Sequence, residues 1–171
     1  ANRRLRTGDL PRERSMNDLA TARADFLEKV EGYASGQSAR FAPVLEDLIR
    51  WSEASGLEFT PHAGVHHLVK FSAPGSRMAF WSATPRSGDG AKLTLLNDPR
   101  FPERLRTLAR DELAEIDGKV VEPDAVPEVA FTKLIWAPYR ARVLDLMARL
   151  LDAMRGPASG AAANAGRSAS P

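Results

Sequence analysis

The chain has 171 residues, 43% of them hydrophobic and 27% charged, which is enough to bury a core and fits one ordinary globular domain. The absence of cysteine excludes a disulfide framework, a thiolate zinc site and a cysteine nucleophile, and fits the reducing cytoplasm, taken as the default location. The net charge of +2 and the pI near 9.2 invite a nucleic-acid reading, yet residues 1–16 carry +3 and residues 155–171 carry +2, leaving −3 on the body between them. No apolar stretch approaches the roughly 18 residues of a membrane span, and no apolar signal core opens the chain, so no membrane partner is expected.

Residues 1–16 hold Arg3, Arg4, Arg6, Arg12 and Arg14 without a helical stripe and read as a flexible basic arm. Ala1 is not an initiator residue, so the chain is read as processed, truncated or extended upstream of Met16. From Asn17 the helical period is plain: Leu19, Ala22, Phe26, Val30 and Tyr33 recur at three- and four-residue steps, with Asn17 or Asp18 as cap and Gly36 as stop. A second helix follows through Phe41, Val44, Leu45, Leu48, Ile49 and Ser52, with Pro43 expected in its first turn and Gly56 as its left-handed stop. Trp51 lies one position off that stripe, at the edge of burial.

Three β-favouring runs come next, Val65–Phe71, Met78–Thr84 and Ala91–Leu96, parted by Ala73-Pro74-Gly75 and by Pro85 to Gly90. Short gaps rich in Gly and Pro make this an antiparallel meander. The two-residue period gives one apolar face and one mixed face, the latter assigned Lys70, Trp81, Lys92 and Thr94. Asn97-Asp98-Pro99 signals a third helix carrying Phe101, Leu105, Leu108 and Ile116 to a stop at Gly118. Two further strands are expected at Lys119–Val121 and Val129–Trp136, then a helix from Pro138 to Met154 whose charges pair as Asp145 with Arg149 and Asp152 with Arg155. Gly156 to Pro171 is Gly/Ala/Ser/Pro-rich and reads as a disordered tail. The expectation is a two-layer α+β domain over residues 17–155, an antiparallel meander packed on one face by N-terminal and C-terminal helices.

From Arg77 to Met154, an aromatic-bearing strand, a strand ending Leu93-Thr94-Leu95-Leu96, an Asp98-Pro99-led arginine helix, the run Phe131 to Trp136 and a closing helix follow in order. This stretch resembles the double-wing proteins of the MmcQ/YjbR type. The resemblance covers under half of the chain and implies a small cytosolic two-layer fold, in a family suspected of binding DNA. The two leading helices and the long Gly118–Val129 connection depart from it. The α-β-β-β-α-β order is also similar to that of PD-(D/E)xK nucleases, whose acids hold Mg²⁺ and whose lysine aids the attacking water. Asp89-Gly90-Ala91-Lys92 has one residue too many for that triplet, and Asp117-Gly118-Lys119 follows a helix where a strand is needed.

His62, His66 and His67 give H-x3-H-H, but neighbouring residues on a strand face opposite ways, so at most two meet one metal. No nucleophile elbow, phosphate loop or dinucleotide fingerprint is present. The sequence therefore assigns no catalytic residue, no metal ligand and no cofactor. Charge is the remaining signal: residues 77–110 carry +4 and residues 111–128 carry −6. Arg77, Arg86, Lys92, Arg100 and Arg104, with Trp81 for stacking, form the candidate ligand- or nucleic-acid-binding set, with Arg86 and Arg100 expected at one end of the meander. The reading is a non-catalytic binding or protein–protein interaction module, self-association included. Weak nucleic-acid binding through the arginines and the basic arm is the alternative, and a metal-dependent hydrolase through Asp89 or Asp117 is the third choice.

Overall fold

The computed structural model describes residues 18–61, 68–88, 90–134 and 136–156. The histidines, Asp89, and both the basic arm and the C-terminal tail lie outside the described residues. Among the described residues four helices, α1 (Leu19–Tyr33), α2 (Gln37–Ala54), α3 (Glu103–Asp117) and α4 (Trp136–Arg155), accompany five strands. The strands are β1 (Glu58–Phe59), β2 (Val69–Ser72), β3 (Ala79–Arg86), β4 (Gly90–Leu95) and β5 (Glu128–Ala130). They lie in sequence order in one antiparallel sheet, and the fold is α+β with helices packed on an open sheet.

α1 starts where Asp18 accepts the amide of Ala20, and it lies across β2, β3 and β4 with Phe26 and Val30 buried. The turn into α2 has no cap of its own, since Gly36 sits in the left-handed region at φ 80°. The Glu31 carboxylate supplies one instead: it accepts from Gly36 N at 2.7 Å, from Ser38 Oγ at 2.6 Å and from Ser38 N at 3.2 Å. These donors, the Gly36 amide foremost, hold its pKa down to about 2. Because α2 begins at Gln37, Pro43 falls in its second turn, later than the first-turn position expected.

Cross-strand partners build the core in rows. Val69, Ala83, Leu93 and Val129 form one, and Phe71, Trp81 and Leu95 the next, all buried against the helices. Trp81 thus belongs to the apolar face and not to the mixed face assigned from its sequence. A bulge explains the crowding: Phe71 pairs with Trp81 but Ser72 pairs with Ala79, so Phe80 is the extra residue on β3, and Phe80 and Trp81 are both fully buried. Phe80 stacks on Trp51 of α2 at 6.1 Å. The Trp81 indole N–H donates to Ser52 Oγ at 2.7 Å, and that hydroxyl donates onward to Leu48 O at 2.7 Å.

At the β3–β4 turn Gly90 has φ 75°, and a Cβ there would stand 2.5 Å from the Phe41 ring, so only glycine lets α2 sit this close. The chain after β4 also departs from expectation. Asp98 turns back to accept from Arg100 and leaves Pro102 as the N-cap, so α3 starts at Glu103. Lys119–Val121 is not a strand, since no strand among the described residues pairs with it. β5 stops at Ala130 because Phe131 turns inward, meeting Phe41 at 5.3 Å and Phe26 at 6.0 Å. α4 opens two residues before Pro138, and its clamps are ionic: Asp47 of α2 accepts Trp136 Nε1 and Arg140 Nε, each at 2.8 Å, while Arg142 grips Glu112 and Glu115 of α3. The Asp145–Arg149 pair forms at 2.9 Å, whereas Arg155 donates to the Ser55 carbonyl and makes no ion pair with Asp152 among the described residues.

Ser52→Ala strands the Trp81 N–H in the core and is expected to cost about 1–3 kcal/mol in urea unfolding, with Trp81→Phe costing less in that background than alone. Glu31 has a folded pKa below its unfolded value, so its contribution is complete above pH ~4.5 and fades as pH falls toward 2. Glu31→Gln should therefore lower the melting temperature at pH 7, with the gap to wild type narrowing as pH falls below ~4.5 and closing only near or below pH 2.

Candidate functional site

The antiparallel register decides which of the candidate residues meet. Arg86 pairs with Gly90 at the β3–β4 hairpin, while Trp81 pairs with Leu95 at the opposite end, where the chain leaves for Arg100. Five residues of strand separate the two ends, roughly 17 Å, so Arg86 and Arg100 do not share an end of the meander. Trp81 is fully buried and hydrogen-bonded to Ser52, which leaves no ring face for a base to stack on.

The cations are mostly committed within the fold. Lys92 Nζ holds Glu128 at 2.8 Å and Arg86 reaches the same carboxylate at 3.4 Å. Arg100 is bidentate on Asp98, at 3.0 and 2.7 Å, and holds that carboxyl at a pKa of about 2. Arg106 and Arg110 share Glu103, with Arg110 nearly buried and donating to Ala125 O at 2.8 Å. Arg77, in the β2–β3 connection, and Arg104, in the first turn of α3, are exposed and make no ion pair among the described residues. Five cations of the +4 stretch are thereby engaged by three carboxylates, Asp98, Glu103 and Glu128. Asp117 is almost wholly buried, with Lys119 at 2.5 Å on one carboxylate oxygen and no hydrogen bond to the other. No cluster of three metal-ligating side chains occurs among the described residues, nor a helix long and apolar enough to cross a membrane.

Helices cover one face of the sheet, and the opposite face is a polar surface. Lys70, Ser82, Thr94 and Glu128 stand in one cross-strand row, and Thr84 and Lys92 in the adjacent one. A groove of about 320 Å³ runs over this face, lined by Leu68, Lys70, Ala79, Ser82 and Thr94 and walled by Asn97, Asp98 and Pro99. The wall is set by Leu96, the one non-glycine among the described residues with positive φ, at 44°; its carbonyl accepts Arg106 Nε at 3.3 Å. A left-handed leucine costs about 1–2 kcal/mol, and here it turns the chain back across the end of the sheet. Lys70 makes no ion pair, and the hydroxyls of Ser82 and Thr94 make no protein hydrogen bond among the described residues.

Of the groove residues, Lys70 and Thr94 were marked by sequence as members of the mixed face. Asn97, Asp98 and Pro99 were marked as a helix start and stand instead at the groove's wall after Leu96, while Ser82 carries no local signal, because strand register alone places it there. Comparison with family models, with characterised proteins and with solved structures returns no match.

Lys92 and Glu128 are each more than two-thirds buried, so their pair is expected to outlast a purely exposed one. A double-mutant cycle of Lys92→Met and Glu128→Gln should give a coupling of about 0.5–1 kcal/mol, smaller at 1 M salt than at 0.05 M.

Proposed function

We propose that this protein is a non-catalytic binding module that takes an acidic polypeptide segment across the open face of its sheet. The observation that supports this most is the groove itself, where an uncommitted ammonium (Lys70) stands beside two hydroxyls and an amide without protein partners. A carboxylate side chain would find a cation at Lys70, and a partner's backbone would find donors and acceptors at Ser82 and Asn97, with the nearly buried Thr94 at the groove's floor. Leu68 and Ala79 add an apolar floor for a neighbouring side chain. General acid–base or metal chemistry lacks support in this groove, whose one carboxylate, Asp98, is held ionised by Arg100.

The resemblance of residues 77–154 to the double-wing family keeps nucleic-acid binding as the competing reading, for which Arg77 and Arg104 are the exposed cations. The two readings part in one titration. Isotope-labelled protein is mixed in turn with an acidic peptide, a basic peptide of equal length and a single-stranded oligonucleotide at 0.15 M salt. The acidic peptide is expected to shift the amide signals of Lys70, Ser82, Thr94 and Asn97, and Lys70→Glu to weaken it about tenfold, or 1.4 kcal/mol. Shifts caused by the oligonucleotide alone, centred on Arg77 and Arg104 and steeply salt-dependent, would replace this reading with the nucleic-acid one.

A further inference from the structure

The wall of the sheet-face groove is held against backbone strain. Leu96 has φ 44°, in the left-handed region that a residue with a Cβ avoids, and its side chain is nevertheless fully buried. Its amide donates to the Phe80 carbonyl at 3.0 Å, which ties this end of the wall to the core. At the other end Phe101 is buried, and its amide donates to Asp98 O at 3.1 Å. Between these anchors Asn97 and Pro99 make no protein hydrogen bond among the described residues, and Asp98 bonds only to Arg100 and Phe101. Residues 97–100 therefore form a short span whose place over the sheet follows the backbone direction that Leu96 imposes.

Arg106 of α3 opposes that strain from outside the span. Its Nε donates to the Leu96 carbonyl at 3.3 Å and its Nη1 to Glu103 at 2.9 Å, with only 18% of the side chain exposed. Glu103 aims the guanidinium from one side, and the planar fork carries that aim to the carbonyl. The same arginine joins Arg100 in keeping Asp98, on the wall itself, ionised. A charge-assisted hydrogen bond and the cost of a left-handed leucine are of similar size, so without Arg106 the wall stands near an even balance between its observed place and a relaxed one. We propose that Arg106 is the positioning residue of the groove, a latch that keeps residues 97–100 beside Lys70, Ser82 and Thr94. Loosening it opens the groove and weakens its hold on a peptide. The peptide consequence rests on the acidic-segment reading, whereas the latch stands on the geometry of Leu96 and Arg106.

Amide hydrogen exchange and titration with the acidic peptide, both on the full chain, test it together. Arg106→Met keeps the apolar stem and removes the charged head. It should speed exchange of the Leu96 and Phe101 amides at least about tenfold while Leu93, in the middle of β4, stays unchanged. Peptide affinity should fall about two- to fivefold, because only the closed fraction binds. Arg106→Lys, which keeps a cation but loses the fork, should fall between wild type and Arg106→Met in both readouts. Glu103→Gln, at a side chain 65% exposed, should move both in the same direction by less. Equal acceleration at Leu93 would make Arg106 a general stabiliser and overturn the proposal. So would unchanged exchange at Leu96 and Phe101 in Arg106→Met, or faster exchange there with peptide affinity unchanged. If the wild-type chain takes no acidic peptide, the acidic-segment reading fails, and exchange at Leu96 and Phe101 still decides the latch by itself.

Discussion

One buried hydrogen bond holds the two layers in register. Trp81 is the largest fully buried side chain, and its indole N–H cannot go to the interior without an acceptor. Ser52 provides one at 2.7 Å and passes its own proton to Leu48 O, which fixes the rotation of α2 over β3. With α2 so oriented, Trp51 lies on Phe80 and Phe41 lies against Gly90, so the helix touches the start of β3 and the start of β4. The bulge is the counterpart of this bond on the sheet side. Without the extra residue at Phe80, two aromatics adjacent in sequence could not both be buried against the helices from one strand.

Local patterns carried much of this architecture. The stripe from Leu19 to Val30, the stripe from Phe41 to Ser52 and the second and third β runs became elements of the expected kind, and so did Val69–Phe71 of the first run, whose residues 65–67 lie outside the described residues, because each is set by periodicity within a window of one element. The misread parts depend on distant partners. Trp81 was placed on the wrong face because the bulge is a matter of pairing between β2 and β3, which no run of residues encodes. Lys119–Val121 has strand propensity but no neighbour, and Phe131 ends β5 to reach Phe26 and Phe41, about 100 residues earlier in the chain. The arginine cluster failed as a cluster for the same reason: Glu128, which engages Lys92 and Arg86, is remote in sequence and adjacent only through the β4–β5 ladder.

The charge layout takes on a different meaning once pairing is known. A +4 stretch followed by a −6 stretch looks dipolar on paper, yet much of it closes on itself, through Glu103 with Arg106 and Arg110 and through Glu112 and Glu115 with Arg142. Many of these pairs are partly exposed and contribute little each, but several join separate elements, as Asp47 does for α2 and α4. The charges tie helices to one another and leave the polar sheet face with few cations of its own. Lys70 stands out there by having no such obligation.

The two margins of the sheet are two and three residues long, at β1 and β5. Margins this brief offer little template on which a further strand could pair, so among the described residues the broad surface of the sheet is its polar face and not its edges.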